Sequence, residues 1–155
     1  FRQLGGTRHR GIELSLAGDL SDDLTIVAGG VLIQPRIIEM EREQNATTLT
    51  AVGPIPQLFR MNIQYRLPAI NGLAFDAKVE SLSSRYITVN NSRRVSSVVT
   101  VDAGVRYITN FSDVPVRLRL QGRNLFNANS VTPRVSGQVL PFEKRRVELS
   151  ITADF

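Results

Sequence analysis

The last eleven residues of the chain, from Arg145 to Phe155, alternate strictly between two kinds of side chain. Apolar residues occupy every second position from Val147 to Phe155, and polar or charged residues occupy the positions between them. Because successive side chains of a β-strand point to opposite faces, this segment predicts a strand with one apolar face and one polar face. The apolar face ends on an aromatic residue.

Six further segments show the same period of two. In the most regular of them, Met61, Ile63 and Tyr65 alternate with polar residues between Arg60 and Arg66. The predicted segments are 9–19, 24–37, 57–67, 73–87, 97–109 and 115–126. The chain is therefore predicted to be all-β, with seven antiparallel strands.

The predicted connections alternate in length. The short ones are Leu20–Asp23, Pro68–Gly72 and Asn110–Val114, and the long ones are Ile38–Pro56, Thr88–Ser96 and Asn127–Glu143. Within the second short connection, Asn71-Gly72 predicts a two-residue hairpin turn, because both residues tolerate positive φ. Short turns at one end and long loops at the other are typical of transmembrane β-barrels of the outer membrane, whose strands need roughly 9–11 residues to cross.

The composition excludes several other classes of protein. No apolar run approaches the roughly 18–20 residues of a transmembrane helix. The chain has no Cys, which excludes a disulfide framework and thiolate metal sites. His9 is the only histidine, so we predict no metal site and no cofactor. The scattered carboxylates form no recognisable acid–base pair, and no enzymatic activity is predicted.

The chain is basic, with 19 Lys and Arg against 14 Asp and Glu and a net charge of +5. Basic chains often bind nucleic acid. Here the aromatic side chains lie mostly on the predicted apolar face, opposite the arginines, whereas a platform for stacking bases needs both on one surface. We therefore predict no nucleic-acid partner.

A barrel assigns the two kinds of face to different surroundings. The predicted lumen-facing charged residues are Arg60, Arg66, Arg106, Arg117, Arg119, Arg123, Arg146 and Glu148. The predicted lipid-facing residues are Met61, Ile63, Tyr65, Val101, Val105, Leu118 and Leu120. The arginines either make the lumen attractive to anions or form ion pairs within the wall. We favour ion pairs, with Asp76, Glu80, Asp102 and Glu148 as the candidate partners.

An odd number of strands does not suit a complete barrel. Bacterial single-chain barrels have an even strand count, and closure of the barrel removes unpaired edges. We therefore expect residues 1–155 to be the C-terminal part of a larger barrel.

Several short motifs, taken in order, resemble one family. They are Arg10-Gly11-Ile12-Glu13-Leu14, Tyr65-Arg66-Leu67-Pro68, Ser84-Arg85-Tyr86, Asp102-Ala103-Gly104-Val105-Arg106-Tyr107, Pro115-Val116, Arg123-Asn124-Leu125-Phe126 and the terminal Phe155. At this spacing they resemble the C-terminal portion of TonB-dependent outer-membrane receptors, of the ferric-siderophore type. The resemblance extends over nearly the whole chain.

The resemblance implies a 22-stranded barrel in the bacterial outer membrane, of which these strands would be the last seven. An N-terminal plug with a TonB box would lie outside this sequence. The implied function is active uptake of a ferric siderophore, energised by the inner-membrane TonB complex acting on the plug. In the family, the terminal aromatic residue is part of the signal read by the barrel-assembly machinery. That role carries over to Phe155, supported by Ala153, Ile151 and Leu149.

Two alternatives stay open at this point. One is a passive porin or a small adhesin-like barrel without energy coupling. The other is a soluble β-sandwich or lipocalin-like binding module.

Overall fold

The computed structural model describes residues 5–39, 49–134 and 138–154. The strands are β1 (Gly5–Ser21), β2 (Leu24–Glu39), β3 (Gln57–Arg66), β4 (Leu73–Leu82), β5 (Arg85–Tyr86), β6 (Arg94–Val95), β7 (Val98–Phe111), β8 (Val114–Arg123), β9 (Val131–Pro133), β10 (Val139–Pro141) and β11 (Arg146–Ala153). No helix among the described residues has the length and apolar character needed to span a membrane.

Seven of the strands form one antiparallel sheet, in the order β1-β2-β3-β4-β7-β8-β11. Each strand pairs with the next of these along the chain, so the sheet is a meander. The remaining strands form two small hairpins, β5–β6 and β9–β10, inserted into the connections before β7 and before β11. The predicted all-β antiparallel fold is confirmed.

The pairing register separates the side chains of the sheet into two continuous faces. Residues directly opposite each other in a ladder share a face. Ile63 lies opposite Ile26 and Ala77, and all three belong to what we call the apolar face. The other side of the sheet, which carries Arg60 opposite Glu80, is called the polar face.

The apolar face is not covered by any other part of the described chain. Leu14 is 74% exposed and Leu149 is 70% exposed, although both lie within long strands. The buried apolar residues among those described are few and mostly lie at one end of the sheet: Ala51, Ala74, Ile87, Val95 and Val98. A contiguous apolar surface of this size requires another apolar phase or a partner.

The three short connections close the hairpins at one end of the sheet. Between β7 and β8, Ser112 and Asp113 have φ values of 49° and 66°, the conformation of a type I′ two-residue turn. The two long strands β1 and β2 are joined at Asp22 and Asp23. A type I′ turn matches the right-handed twist of its flanking strands, which suits a tightly paired meander.

The prediction of a two-residue turn at Asn71-Gly72 is wrong. The chain makes two successive turns there, because Ile70 N–H donates to Leu67 O at 3.1 Å and Leu73 N–H donates to Ile70 O at 3.1 Å. Only Gly72 has a positive φ, at 83°. The preceding Pro68 lacks an N–H for the ladder, so the strands separate at Leu67 and the connection is longer than the dipeptide suggests.

Two predicted segments extend furthest beyond the ends of the observed strands. The segment predicted to run over 73–87 ends at Leu82, where Gln57 N–H donates to the Ser83 hydroxyl and closes the ladder with β3. The segment predicted over 115–126 ends at Arg123, because Asn124 turns the backbone to a φ of 47°. In both cases a polar side chain near the strand end bonds to the backbone and ends the pairing.

Candidate functional site

The structure places each predicted set of residues on a single face. Every predicted lumen-facing residue lies on the polar face, from Arg60 on β3 to Glu148 on β11. Every predicted lipid-facing residue lies on the apolar face, as do Leu149, Ile151 and Ala153. Phe155 lies outside the described residues. The face assignments follow from the register, whereas the lumen, lipid and assembly roles stay predictions.

The polar face of the strands after β2 carries more cations than carboxylates. Its cationic side chains are Arg60, Arg66, Lys78, Arg106, Arg117, Arg119, Arg123 and Arg146. Its carboxylates are Asp76, Glu80, Asp102 and Glu148. The apolar face of the same strands carries no charged residue. The excess of positive charge is therefore confined to one surface.

Cross-strand ion pairs use three of these carboxylates. Glu80 pairs with Arg60 on the neighbouring strand and lies 3.8 Å from Lys78. Glu148 lies 2.8 Å from Arg146 and 3.4 Å from Arg123. These contacts support the interpretation that part of the arginine set stabilises the wall.

One ion pair bridges a whole strand. Arg119 on β8 reaches across β7 to Asp76 on β4, with 3.1 Å between Nη2 and Oδ1. The strand between them carries Gly104 at the crossing point, directly opposite Asp76. A Cβ at Gly104 would lie 2.9 Å from Oδ2 of Asp76, so the glycine leaves the space that this carboxylate occupies.

Three polar-face arginines have no ion pair with a carboxylate of the described residues: Arg66, Arg106 and Arg117. Arg66 donates from Nη2 to the Asp22 carbonyl at the short-turn end. Asp102, a predicted arginine partner, instead accepts from Asn124 N–H at 2.8 Å. The polar face thus keeps cationic groups that are available to an anion.

The opposite end of the sheet carries the three long connections, and two of them are joined. Thr50 forms an isolated bridge with Arg36 of β2. Its N–H donates to Asn91 Oδ1 at 2.8 Å, and its carbonyl accepts from Asn91 Nδ2 at 3.0 Å. The Asn91 side chain thus pairs with Thr50 as a strand backbone would, although 41 residues separate the two. We call this the Asn91–Thr50 clasp.

The third long connection is tied at its base by Asn124, which is 4% exposed. Its Nδ2 donates to Ala128 O at 2.9 Å and to Glu143 O at 2.8 Å, and its Oδ1 accepts from Ala128 N–H at 2.7 Å. One side chain therefore links the beginning and the end of the connection between β8 and β11. This explains the structural role of Asn124 in the Arg123-Asn124-Leu125-Phe126 motif.

A cleft of about 370 Å³ lies where the long connections meet. Its lining residues are Val52, Gly53, Arg85, Tyr86, Ile87, Pro133 and Arg134. Burial lowers the pKa of Arg85, because desolvation disfavours the charged form. A guanidinium stays charged even so, and two guanidiniums beside a phenol suit an anionic ligand with an aromatic part.

The residues of this cleft were not predicted as a site from the sequence. Arg85 and Tyr86 are part of a family-like motif, but Val52 and Arg134 lie in other connections and carry no local signal. The Asn91–Thr50 clasp and the Asn124 bonds tie together the connections that line the cleft. The predicted loop Ile38–Pro56 falls in part outside the described residues. Among the described residues, no group of three His, Cys, Asp or Glu side chains forms a candidate metal site.

Comparison with known proteins confirms the resemblance predicted from the sequence. No family model matches the chain. The chain is similar to the ferrichrome receptor FcuA of Yersinia enterocolitica, with 25% identity over 153 residues. The alignment covers 97% of this chain and 20% of FcuA, so the chain spans about a fifth of the length of this curated relative.

Solved structures show the same fold. The ferric preacinetobactin receptor BauA from Acinetobacter baumannii matches 98% of this chain with a TM-score of 0.86 and 24% identity, over 23% of its own length. The siderophore receptor PiuA from the same organism matches 95% with a TM-score of 0.80 and 22% identity, over 22% of its length. The ferric-catecholate import receptor Fiu from E. coli K12 matches 95% with a TM-score of 0.73 and 19% identity, over 21% of its length. Each of these relatives is a receptor, in agreement with the prediction that the chain is not an enzyme.

Proposed function

We propose that this chain is the C-terminal part of the wall of an outer-membrane receptor that takes up a ferric siderophore. The observation that carries the proposal is the division of the sheet into two faces. The strands after β2 have an apolar face without charge and a polar face with excess cations. Lipid outside and an aqueous lumen inside are the surroundings that suit these faces.

The similarity to siderophore receptors over nearly the whole chain supports the same assignment. In this proposal the seven main strands are the last seven of a 22-stranded barrel in the bacterial outer membrane. A plug before them couples the receptor to the inner-membrane TonB complex. The barrel-assembly machinery recognises the last strand and Phe155.

The cargo is proposed to be anionic, because the cations of this chain lie along its route. The cleft that contains Arg85 and Arg134 would lie at the external mouth. Arg106 and Arg117, which form no ion pair within the described part of the chain, would lie further down the lumen. A ferric catecholate complex combines negatively charged oxygens with aromatic rings. Both features match the two guanidiniums and the Tyr86 ring of the cleft.

The test uses the full-length receptor in a strain that lacks its own copy. Uptake of radioactive iron is measured with a panel of siderophores, with and without a protonophore. Receptor-dependent uptake that the protonophore abolishes supports the proposal. Uptake that continues without energy indicates a passive pore, and an absence of uptake with every siderophore contradicts the iron assignment.

The role of the cleft is tested with Arg85→Gln/Arg134→Gln. We expect siderophore affinity to fall by at least tenfold, since two charge-assisted contacts are removed. The matched control is Arg93→Gln/Arg145→Gln, which removes two exposed arginines that lie outside the cleft. Equal loss in the control would show that loop charge in general, rather than the cleft, attracts the ligand.

A further inference from the structure

The apolar face carries an unusual group of charges at one place. On this face of the seven main strands, Arg8, Arg10 and Arg36 are the only charged residues among those described. All three lie on β1 and β2, at the end of the hairpin next to the long connections. Their side chains are exposed. We call them the arginine cluster.

The arrangement within the cluster favours a bound counter-ion. Arg8 lies directly opposite Arg36 in the ladder, and Arg10 lies opposite Gln34 one step closer to the apolar band. Like charges directly opposite each other destabilise an antiparallel pair. Among the side chains that the structure describes, which exclude that of Glu39, no carboxylate forms an ion pair with any of the three arginines. A bound anion would remove this repulsion.

An apolar trough begins immediately below the cluster. It has a volume of about 470 Å³, and its walls include Ile12, Leu14, Leu32 and Phe59. Gly30 forms its floor, and a Cβ there would approach nothing closer than 3.6 Å. The trough is therefore open space that the absence of a side chain creates.

A second cleft connects the trough to the cluster. It has a volume of about 480 Å³ and is lined by Arg10, Gln34, Ile12 and Leu32, the last two of which also line the trough. A single ligand can thus reach from the guanidinium of Arg10 to the apolar surface around Gly30. Such a ligand must have an anionic end and an apolar tail.

We propose that this surface binds an anionic lipid of the membrane. The lipid phosphate is held by Arg8, Arg10 and Arg36, and an acyl chain lies in the trough over Gly30. Guanidinium groups bind phosphate oxygens in pairs, and the boundary between charge and apolar surface is where lipid headgroups lie. The inference rests on the proposed membrane location, but it is independent of the siderophore.

The charge part is tested with the full-length receptor in lipid nanodiscs. Arg8→Gln/Arg36→Gln is compared with Arg106→Gln/Arg117→Gln, which removes the same charge from the polar face. Discs contain either phosphatidylcholine alone or phosphatidylcholine with phosphatidylglycerol, and the lipid retained after transfer to detergent is counted by native mass spectrometry. We expect the wild type and the polar-face variant to retain phosphatidylglycerol, and the cluster variant to retain it at least tenfold less.

The melting temperature provides a second readout, in which the cluster variant should not lose relative to the wild type when anionic lipid is absent. In phosphatidylcholine alone, the cluster variant should be as stable as the wild type or more stable, since a repulsion is removed. Adding phosphatidylglycerol should raise the melting temperature of the wild type only. Equal retention of phosphatidylglycerol by the wild type and the cluster variant would overturn the proposal. Stabilisation of the wild type in detergent by inorganic phosphate alone, to the same extent, would overturn the lipid assignment.

The trough is tested with Gly30→Leu, which fills it while leaving the cluster intact. Retention of long-chain phosphatidylglycerol should fall, whereas retention of a short-chain analogue should change little. Unchanged retention of the long-chain lipid would refute the acyl part. Cell fractionation and iron uptake are measured for each variant, so failure of the lipid site is distinguished from failure of the proposed receptor function.

Discussion

Replacement of Asn124 by Ala tests how the connection between β8 and β11 is held. The substitution removes three side-chain hydrogen bonds, two to Ala128 and one to Glu143. Each such bond contributes about 0.5–1.5 kcal/mol, and the groups left behind become unpaired in a part-buried site. Alanine also tolerates a φ of 47° less well than asparagine, which adds about 1 kcal/mol. The local opening free energy should fall by about 3–4 kcal/mol.

Hydrogen exchange measures this local quantity directly, without unfolding the whole receptor. Since about 1.4 kcal/mol corresponds to a factor of ten, the Ala128 amide should exchange roughly 100-fold to 1,000-fold faster in Asn124→Ala. Asn124→Gly relieves the backbone strain and should recover about 1 kcal/mol of the loss. The control is Asn129→Ala, whose exposed side chain accepts one bond from Lys144. Wild-type protection of Ala128 in both Asn124 variants would refute the reasoning.

Three further predictions concern the wall and its assembly. Gly72→Ala should sharply reduce folded receptor, measured by heat-modifiable migration on gels, because its Cβ would lie 2.0 Å from a β7 carbonyl oxygen. Gly53→Ala, also at positive φ but with nothing within 4 Å, is the control and should cost only about 1–2 kcal/mol of strain. Leu149→Arg should cost about 2–4 kcal/mol in folding into lipid if that site lies near the bilayer midplane. Gln121→Arg, on the polar face directly opposite Glu148, should be tolerated, and equal effects of the two substitutions would contradict the face assignment. Deletion of Phe155 should lower the amount of intact receptor in the outer membrane, and unchanged levels would exclude the terminal-signal role.

The sheet was predictable from the sequence because the alternation within each strand shows which of its side chains share a face. Alternation of the kind seen between Arg60 and Arg66 states which side chains share a surface, and the register merely extends it from strand to strand. The turn at Asn71-Gly72 was mispredicted because the dipeptide is compatible with more than one turn. Pro68 and a contact between Gly72 and β7 determine which turn forms. In that contact, Ile108 N–H donates to the Gly72 carbonyl. A distant contact of this kind has no local signature.

The sequence predicted which residues belong to the polar face, but it did not predict the contacts between them. The sequence identified arginines and carboxylates that share a face, and Arg60 with Glu80 is such a pair. It did not identify which partners meet, because Arg119 and Asp76 are 43 residues apart and meet only across Gly104. The cleft at Arg85 depends on residues from several connections. The arginine cluster depends on the exact level of the β1–β2 hairpin within the sheet. Neither property is encoded in a short window of sequence.

The Asn91–Thr50 clasp has a consequence for how the length of this chain can vary. Residues 49–51 are fixed twice, by pairing with β2 and by the Asn91 side chain. An insertion or deletion between Glu39 and Leu49 therefore leaves residues 49–51 in place. It does not displace Val52 and Gly53, which follow them and line the cleft. Length variation in that segment is therefore separated from the walls of the cleft. The length of this connection can therefore change while the residues that line the cleft stay the same.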